Sequence, residues 1–303
     1  MRLPLYFRFG YSFWNLICML TCLIRPLWKK MNDYKTDFII RFLRREFPEI
    51  VLKYKDCEQN NNIIGTRVWM FWNTGFETAP PVVKQCIRRA GEIKCIDLVL
   101  LDSTNLYDYV DINPMLRRKY ENSEITVQLY SDIIRNNLLN QHGGFWIDAT
   151  GLVLDSDYVI NHKNLLFYTA KHDPKRTLHF VKGLWSGFMI GAGKGNPMVA
   201  FASDFFTMYF NKFDRNFDYF FIDYVYLLAY RYIPAVKKQV DAVKLENDDV
   251  FALWHNFYNA YSDLEWNKIK QKNIFQKMIW KIDSKKLSNN CFYNKFVNGS
   301  NLF

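Results

Sequence analysis

Several features are missing from this chain of 303 residues. Its six cysteines, Cys18, Cys22, Cys57, Cys86, Cys95 and Cys291, form no C-x-x-C pair and sit near no histidine at zinc-finger spacing. That argues against a structural zinc site, and a reducing cytosol is the simplest setting. No apolar run reaches the length needed to span a bilayer. Tyr11 to Ile24 is the longest candidate, and as a helix its fourteen positions reach roughly 21 Å against a hydrocarbon core of about 30 Å. No internal repeat or low-complexity block is present. Lysine and arginine are dispersed and form no recognisable nucleic-acid-binding module, so the net charge of +10 does not by itself point to nucleic acid.

Aromatic and basic residues are plentiful. Half the residues are hydrophobic and 18% are aromatic, enough for one large core. Residues 1–30 combine Tyr6, Phe7, Phe9, Tyr11, Phe13, Trp14 and Trp28 with Arg2, Arg8, Arg25, Lys29 and Lys30. An aromatic-rich run too short to span, with basic ends and no small-residue cleavage site, suits a segment lying on an anionic membrane surface. A plain core helix is the competing reading.

Residues 31–62 read as a helical lead-in ending in Gln59-Asn60-Asn61-Asn62. From there strands and helices alternate. Val68–Trp72 and Ile96–Leu101 are buried strands, with a helix from Pro80-Pro81 to Arg89 between them and helical turns around Pro114 after them. A helix over 126–141, a strand over 145–147 and further strands near 152–154, 165–170 and 185–190 follow. Such alternation predicts an α/β fold with a mostly parallel sheet. Helices are expected over 197–212, 218–232, 234–245, 249–261 and 264–281, making the C-terminal part helical. The expected division is an N-terminal segment 1–30, the lead-in 31–62, a main domain 63–285 and a tail 286–303.

The densest pattern is Ser131–Thr150, SDIIRNNLLNQHGGFWIDAT. It reads as a helix, a Gly143-Gly144 stop, a short strand and Asp148 at the strand's end. Asp132 and Arg135 lie three apart and leave one helix face, as an ordinary ion pair would. An acid leaving a buried strand beside a glycine break is a common way to hold a metal-bound phosphate.

Ser131, Asp132, Arg135, Gly143, Gly144, Trp146 and Asp148 fill in order the SD-(hydrophobic)-R…GG-x-W-I-D-A-T pattern that this run resembles. The pattern is that of the bacterial capsular polysaccharide synthesis family, nucleotide-sugar-dependent glycosyltransferases of GT-A type. The resemblance covers roughly residues 65–235. It implies a GT-A-like, mostly parallel nucleotide-binding sheet, and a hexosyltransferase that retains anomeric configuration while moving sugar from a nucleotide-sugar donor to a lipid-linked glycan at the cytoplasmic membrane face.

The resemblance also assigns roles. Trp72 would stack on the base, with Trp69 competing for that place. Asp132 would hydrogen-bond the nucleoside or sugar, and Arg135 would contact the sugar or orient Asp132. Ser131 and Trp146 would line the donor pocket, and Asp148 would hold the ribose and a hydrated Mn²⁺ or Mg²⁺. The DxD position reads Asp148-Ala149-Thr150, so Thr150 offers the metal a neutral oxygen where relatives place an acid. Asp155, Asp157 and Asp223 are candidates to complete the ligand set. Trp185-Ser186-Gly187-Phe188 and Asp218–Tyr224 resemble segments near the sugar and acceptor. Two other readings stand beside this one: a catalytically inactive nucleotide- or glycan-binding protein, suggested by Thr150, and a membrane-associated structural partner in a polysaccharide assembly complex.

Overall fold

A computed structural model describes residues 1–298. The chain opens with a helical hairpin, α1 (Leu5–Thr21) and α2 (Arg25–Glu46), followed by α3 (Pro48–Tyr54). Then come β1 (Arg67–Phe71), α4 (Pro81–Gly91), β2 (Asp97–Leu101), α5 (Pro114–Glu121), α6 (Val127–His142) and β3 (Gly144–Ile147). Next are β4 (Gly151–Val153), α7 (Tyr158–His162), β5 (Phe167–Thr169) and β6 (Met189–Ala192). The helices α8 (Pro197–Lys212), α9 (Phe221–Tyr232) and α10 (Pro234–Ala242) follow, then α11 (Ala252–His255), α12 (Asp263–Lys272), β7 (Phe275–Lys277) and α13 (Phe292–Asn298).

Five strands form the main sheet in the order β2-β1-β3-β6-β5. β1 pairs in parallel with both β2 and β3, while β6 is antiparallel to both β3 and β5. Four strands therefore run one way and β6 alone is reversed, which makes the sheet mostly parallel. The chain leaves β1 through α4 to β2 on one side, then returns through α6 to β3 on the other. Right-handed crossovers place those two helices on opposite faces and open a crevice beyond the carboxyl ends of β1 and β3.

Local chemistry explains why α6 and β3 meet where they do. The Thr126 hydroxyl accepts a hydrogen bond from the Leu129 amide and caps the start of α6. Gly143 ends the helix at φ 72°, and Gly144 follows at φ 107°. A Cβ on Gly144 would lie 2.8 Å from the Arg67 carbonyl oxygen and 2.9 Å from Trp69 Nε1, so β1 and β3 approach this closely only because the side chain is absent. All four residues of β3 are buried.

The N-terminal hairpin has one face in the core and one face open. Phe7 is wholly buried, stacked on Phe38 and Phe42 and edge-on to Phe217. Tyr11 donates a hydrogen bond to Asp218 at 2.6 Å. The opposite face of α1 is open: Leu5, Phe9, Phe13, Leu16 and Leu20, spaced three or four apart, are all exposed. No described helix is long and apolar enough to cross a membrane.

The C-terminal third departs from its expected helices. Instead of 249–261, only α11 is helical. Instead of running to 281, the helix begun near 264 stops at Lys272. Buried amide side chains take over the main chain's hydrogen bonds there. Asn273 accepts from the Asp249 amide and donates to the Ile269 carbonyl, and Gln276 accepts from the Leu253 amide and donates to the Asp249 carbonyl. Residues 275–277 are freed to pair as β7 with β4, antiparallel, in a separate two-stranded sheet. The 152–154 segment thus joins that small sheet and not the main one. The 185–190 strand is displaced onward to β6. Within 286–298, α13 packs Phe292 and Phe296 in a cluster with Val82 and Cys86 of α4; residues 299–303 lie outside the described part.

Candidate active site

Trp72 follows β1 and Asp148 follows β3, so both leave the carboxyl edge of neighbouring parallel strands, at the crevice where the strand order reverses. Trp69 is fully buried and donates its indole N–H to the Gly143 carbonyl at 2.9 Å. Trp72 is only half-buried, packed in a small cluster with Ala149, Ala79 and Val83, and meets the exposed Trp280 edge-on at 5.7 Å. Of the two tryptophans, Trp72 is the one with an open surface to offer.

Asp148 is held on every side. Its amide donates to the Phe188 carbonyl at 3.0 Å, and its carbonyl accepts from the Gly151 amide at 2.6 Å. Oδ1 accepts from Trp146 Nε1 at 2.7 Å, and Oδ2 accepts from Lys277 Nζ at 2.5 Å. Burial works against its charge, but Lys277 and Arg135 outweigh that and hold the carboxyl below its ordinary range. Trp146 itself is buried, so it presents no open face and acts through its bond to Asp148.

Asp132 and Arg135, one turn apart on α6, form the expected ion pair. Arg135 is buried and lies 5.7 Å from the Trp146 ring, and its Nε is buried without a hydrogen-bond partner. A Cβ on Gly187 would come 3.0 Å from Arg135 Nη1, so the glycine makes room for the guanidinium. Burial, with Asp148 and Asp223 close by, overrides Arg135 and pushes the Asp132 carboxyl up to about 7. This pairing makes Arg135 the residue that orients Asp132. Ser131 is half-buried on the same turn.

The Asp218–Tyr224 segment reaches the same place. Asp223 accepts from Trp185 Nε1 at 2.8 Å and faces His179 Nε2 at 3.5 Å. Tyr219 is exposed, and its phenol is pushed up by partial burial and then by the charges of Asp132 and Asp148, which it overlooks.

Few oxygens of this donor set stand free for a divalent cation. Both oxygens of Asp148 are engaged, and Thr150 is buried with its carbonyl bonded to the Met278 amide at 2.8 Å. Asp223 has one oxygen bonded to Trp185, while the other faces His179 without a hydrogen bond. Asp155 caps the turn into α7, and Asp157 pairs with Lys94. Among the described residues no three His, Cys, Asp or Glu side chains gather to hold a metal, and a cation shared between one carboxylate, substrate phosphates and water would have to displace Lys277 from Asp148. Lys277, hidden within what reads as a helix, is the site residue the sequence did not disclose.

Comparison with known proteins adds three observations. The family model described as capsular polysaccharide synthesis protein matches residues 22–296. A curated protein named O-glycosyltransferase braB, from Annulohypoxylon truncatum, is 29% identical over 153 residues, covering 44% of this chain and 34% of that protein. The chain thus matches about a third of that relative's length. A solved structure titled PaToxG Glycosyltransferase aligns with 82% of this chain and 100% of its own, at a TM-score of 0.42 and 12% identity.

Proposed function

We propose that this chain, which belongs to the family of capsular polysaccharide synthesis proteins, is a glycosyltransferase that moves a hexosyl group from a nucleotide-sugar donor to a glycan acceptor. One observation carries the reading. A half-buried tryptophan and a fixed carboxylate leave adjacent parallel strands at the switch point, with a second, oriented carboxylate beside them. That is the arrangement a nucleoside diphosphate sugar needs, an aromatic surface for the base and acceptors for ribose and sugar hydroxyls.

In this reading Trp72 stacks on the base, and Asp148, fixed by Trp146, accepts from the ribose. Asp132, oriented by Arg135, accepts from the sugar and sets the anomeric carbon toward the acceptor. Tyr219 stands at the mouth, where the acceptor enters. Holding both partners in one geometry is the main service such a site performs, since the reaction then needs no encounter of three bodies. We assign the site a GT-A-type arrangement and a retaining outcome, consistent with the Ser131–Thr150 pattern.

We assign the acceptor to a lipid carrier, a reading the hairpin supports. The open face of α1 carries apolar side chains, with Arg2, Arg8, Arg25, Lys29 and Lys30 exposed along the hairpin. An apolar stripe rimmed by cations suits the headgroup region of an anionic bilayer, at the cytoplasmic face.

The reading is tested by a panel of UDP- and GDP-sugars. Many transferases slowly hydrolyse a donor in the absence of acceptor, so release of nucleoside diphosphate by the wild type and not by Asp148→Asn is the expected result. A wild type that neither stabilises thermally nor turns over with any donor sinks the proposal.

A further inference from the structure

We propose that Lys277 is the diphosphate-binding cation of this site, taking the place a divalent metal would hold beside Asp148. This rests on the glycosyltransferase reading. Its starting point is a coincidence of two departures. Thr150 stands where a second acid would complete a metal site, and an ammonium stands within 2.5 Å of the acid that remains.

Lys277 is fixed by more than that contact. Its residue pairs with Gly151 in the β4–β7 sheet, three positions past Asp148, and its amide donates to the Val250 carbonyl at 2.6 Å. The ammonium lies 5.2 Å from the Phe188 ring centroid, and the Phe188 carbonyl in turn holds the Asp148 amide. Phe188 therefore links the cation to the acid. An ammonium has three N–H donors. Asp148 takes one, leaving two for phosphate oxygens, and the side chain is 21% exposed, open to a ligand. Arg135, the other cation nearby, is committed to Asp132. Arg135 is also nearly sealed from solvent, so Lys277 is the cation beside Asp148 that a ligand can reach, at the carboxyl edge of the sheet where the diphosphate would lie.

The step it serves balances without a metal. The bond from the anomeric carbon to the diphosphate oxygen breaks, and its electron pair stays on that oxygen, where the ammonium stabilises the growing charge. The acceptor hydroxyl oxygen supplies the pair for the new bond, and its proton passes to solvent. Lys277 keeps its proton throughout. Compared with a dication, one ammonium neutralises half as much charge, so the site relies on fixed geometry to make up the difference.

The experiment compares the full chain with Lys277→Met and Lys277→Arg in EDTA. Calorimetry reads the affinity for UDP and GDP against that for uridine and guanosine, and donor hydrolysis is followed in parallel. Wild-type turnover is expected to survive EDTA. Lys277→Met is expected to lose about tenfold to a hundredfold in diphosphate affinity while keeping nucleoside affinity, and Lys277→Arg to recover most of it. A merely structural lysine would not separate diphosphate from nucleoside. If Lys277→Met does not fold, because Asp148 is left without its counter-charge, the double variant Asp148→Asn/Lys277→Met keeps the site neutral, and the same loss of diphosphate affinity is expected relative to Asp148→Asn alone. Turnover that EDTA abolishes and Mn²⁺ restores, with diphosphate affinity unmoved in Lys277→Met, overturns the lysine role alone. A wild type that binds no nucleotide sugar with or without Mn²⁺ removes the glycosyltransferase reading as well.

Discussion

Trp146 donates its indole N–H to the carboxylate of Asp148, two residues further along the same chain, at 2.7 Å. Side chains two apart on a strand share a face, but Asp148 lies just past the end of β3, where the chain turns, so a buried tryptophan can aim the acid at its own strand's tip. Trp146→Phe keeps an aromatic ring but removes the donor and shrinks a buried side chain. It is expected to cost at least about 1 kcal/mol in stability, and to lower kcat more than it raises KM. Urea melts and steady-state kinetics on a responsive donor check both; an unchanged kcat would leave the tryptophan as packing only.

Asp148→Asn is expected to abolish transfer in a protein that folds normally. The amide fills the same volume but cannot pair with Lys277 or accept with a full charge, and losing one centred charge costs about 10²–10³ in rate. Circular dichroism and donor turnover measured on one preparation decide it; wild-type rates in a folded variant would remove the central claim.

Asp132 makes a pH prediction with a definite sign. Its carboxyl rises from 3.8 to about 7 on folding, so the folded chain binds that proton more tightly than the unfolded one. Its contribution to stability is complete below about pH 4 and is lost as pH climbs toward 7. Asp132→Asn is expected to remove this decline, gaining on the wild type at pH 8 relative to pH 4. Activity runs the other way, because the ionised acid is the acceptor, so wild-type kcat/KM rises with pH up to about 7. Melting curves and rates across that range check both halves.

Gly144→Ala is expected to damage the fold itself. The glycine has φ 107°, and an added Cβ would press into the Arg67 carbonyl and the Trp69 indole, joining β1 to β3. Strain plus a forced shift of β1 amounts to a few kcal/mol. A near-native melting temperature would show that β1 can retreat.

The hairpin predicts a contrast between its two faces. Phe7→Ala, on the buried face, is expected to cost about 3–5 kcal/mol. Phe9→Ser with Phe13→Ser, on the open face, is expected to leave the melt almost unchanged while releasing the protein from vesicles containing anionic lipid. Flotation at low and high salt reads the second effect. Vesicle binding that ignores these residues would leave the apolar stripe without a role.

Much of this site is legible in the sequence because its signals are local. The Thr126 cap, the paired glycines and the apolar run after them mark α6, β3 and Asp148 within one short stretch. Competition between Trp69 and Trp72 could not be decided there, since both lie in one apolar run and only burial separates them. Lys277 was out of reach for a different reason. It is one of 40 lysines and arginines, on a strand of three residues, and its partner Asp148 lies 129 positions earlier. So short a strand has no usable periodicity. What makes β7 is the pair of buried amides, Asn273 and Gln276, whose long-range bonds have no local signature. The hairpin was ambiguous because it is two things at once, with core on one face and open surface on the other.

The β4–β7 pairing also sets an order in time. Translation releases α1 and α2 before the strands that carry Trp72 and Asp148, and Lys277 well after both. Until that residue leaves the ribosome, Asp148 has Trp146 but no counter-charge, and the two-stranded sheet cannot close. A nascent chain can therefore settle its hairpin and much of its main sheet while its reaction centre stays incomplete. A chain released before β7 lacks the cation that faces Asp148, so the site is complete only once β7 has been made.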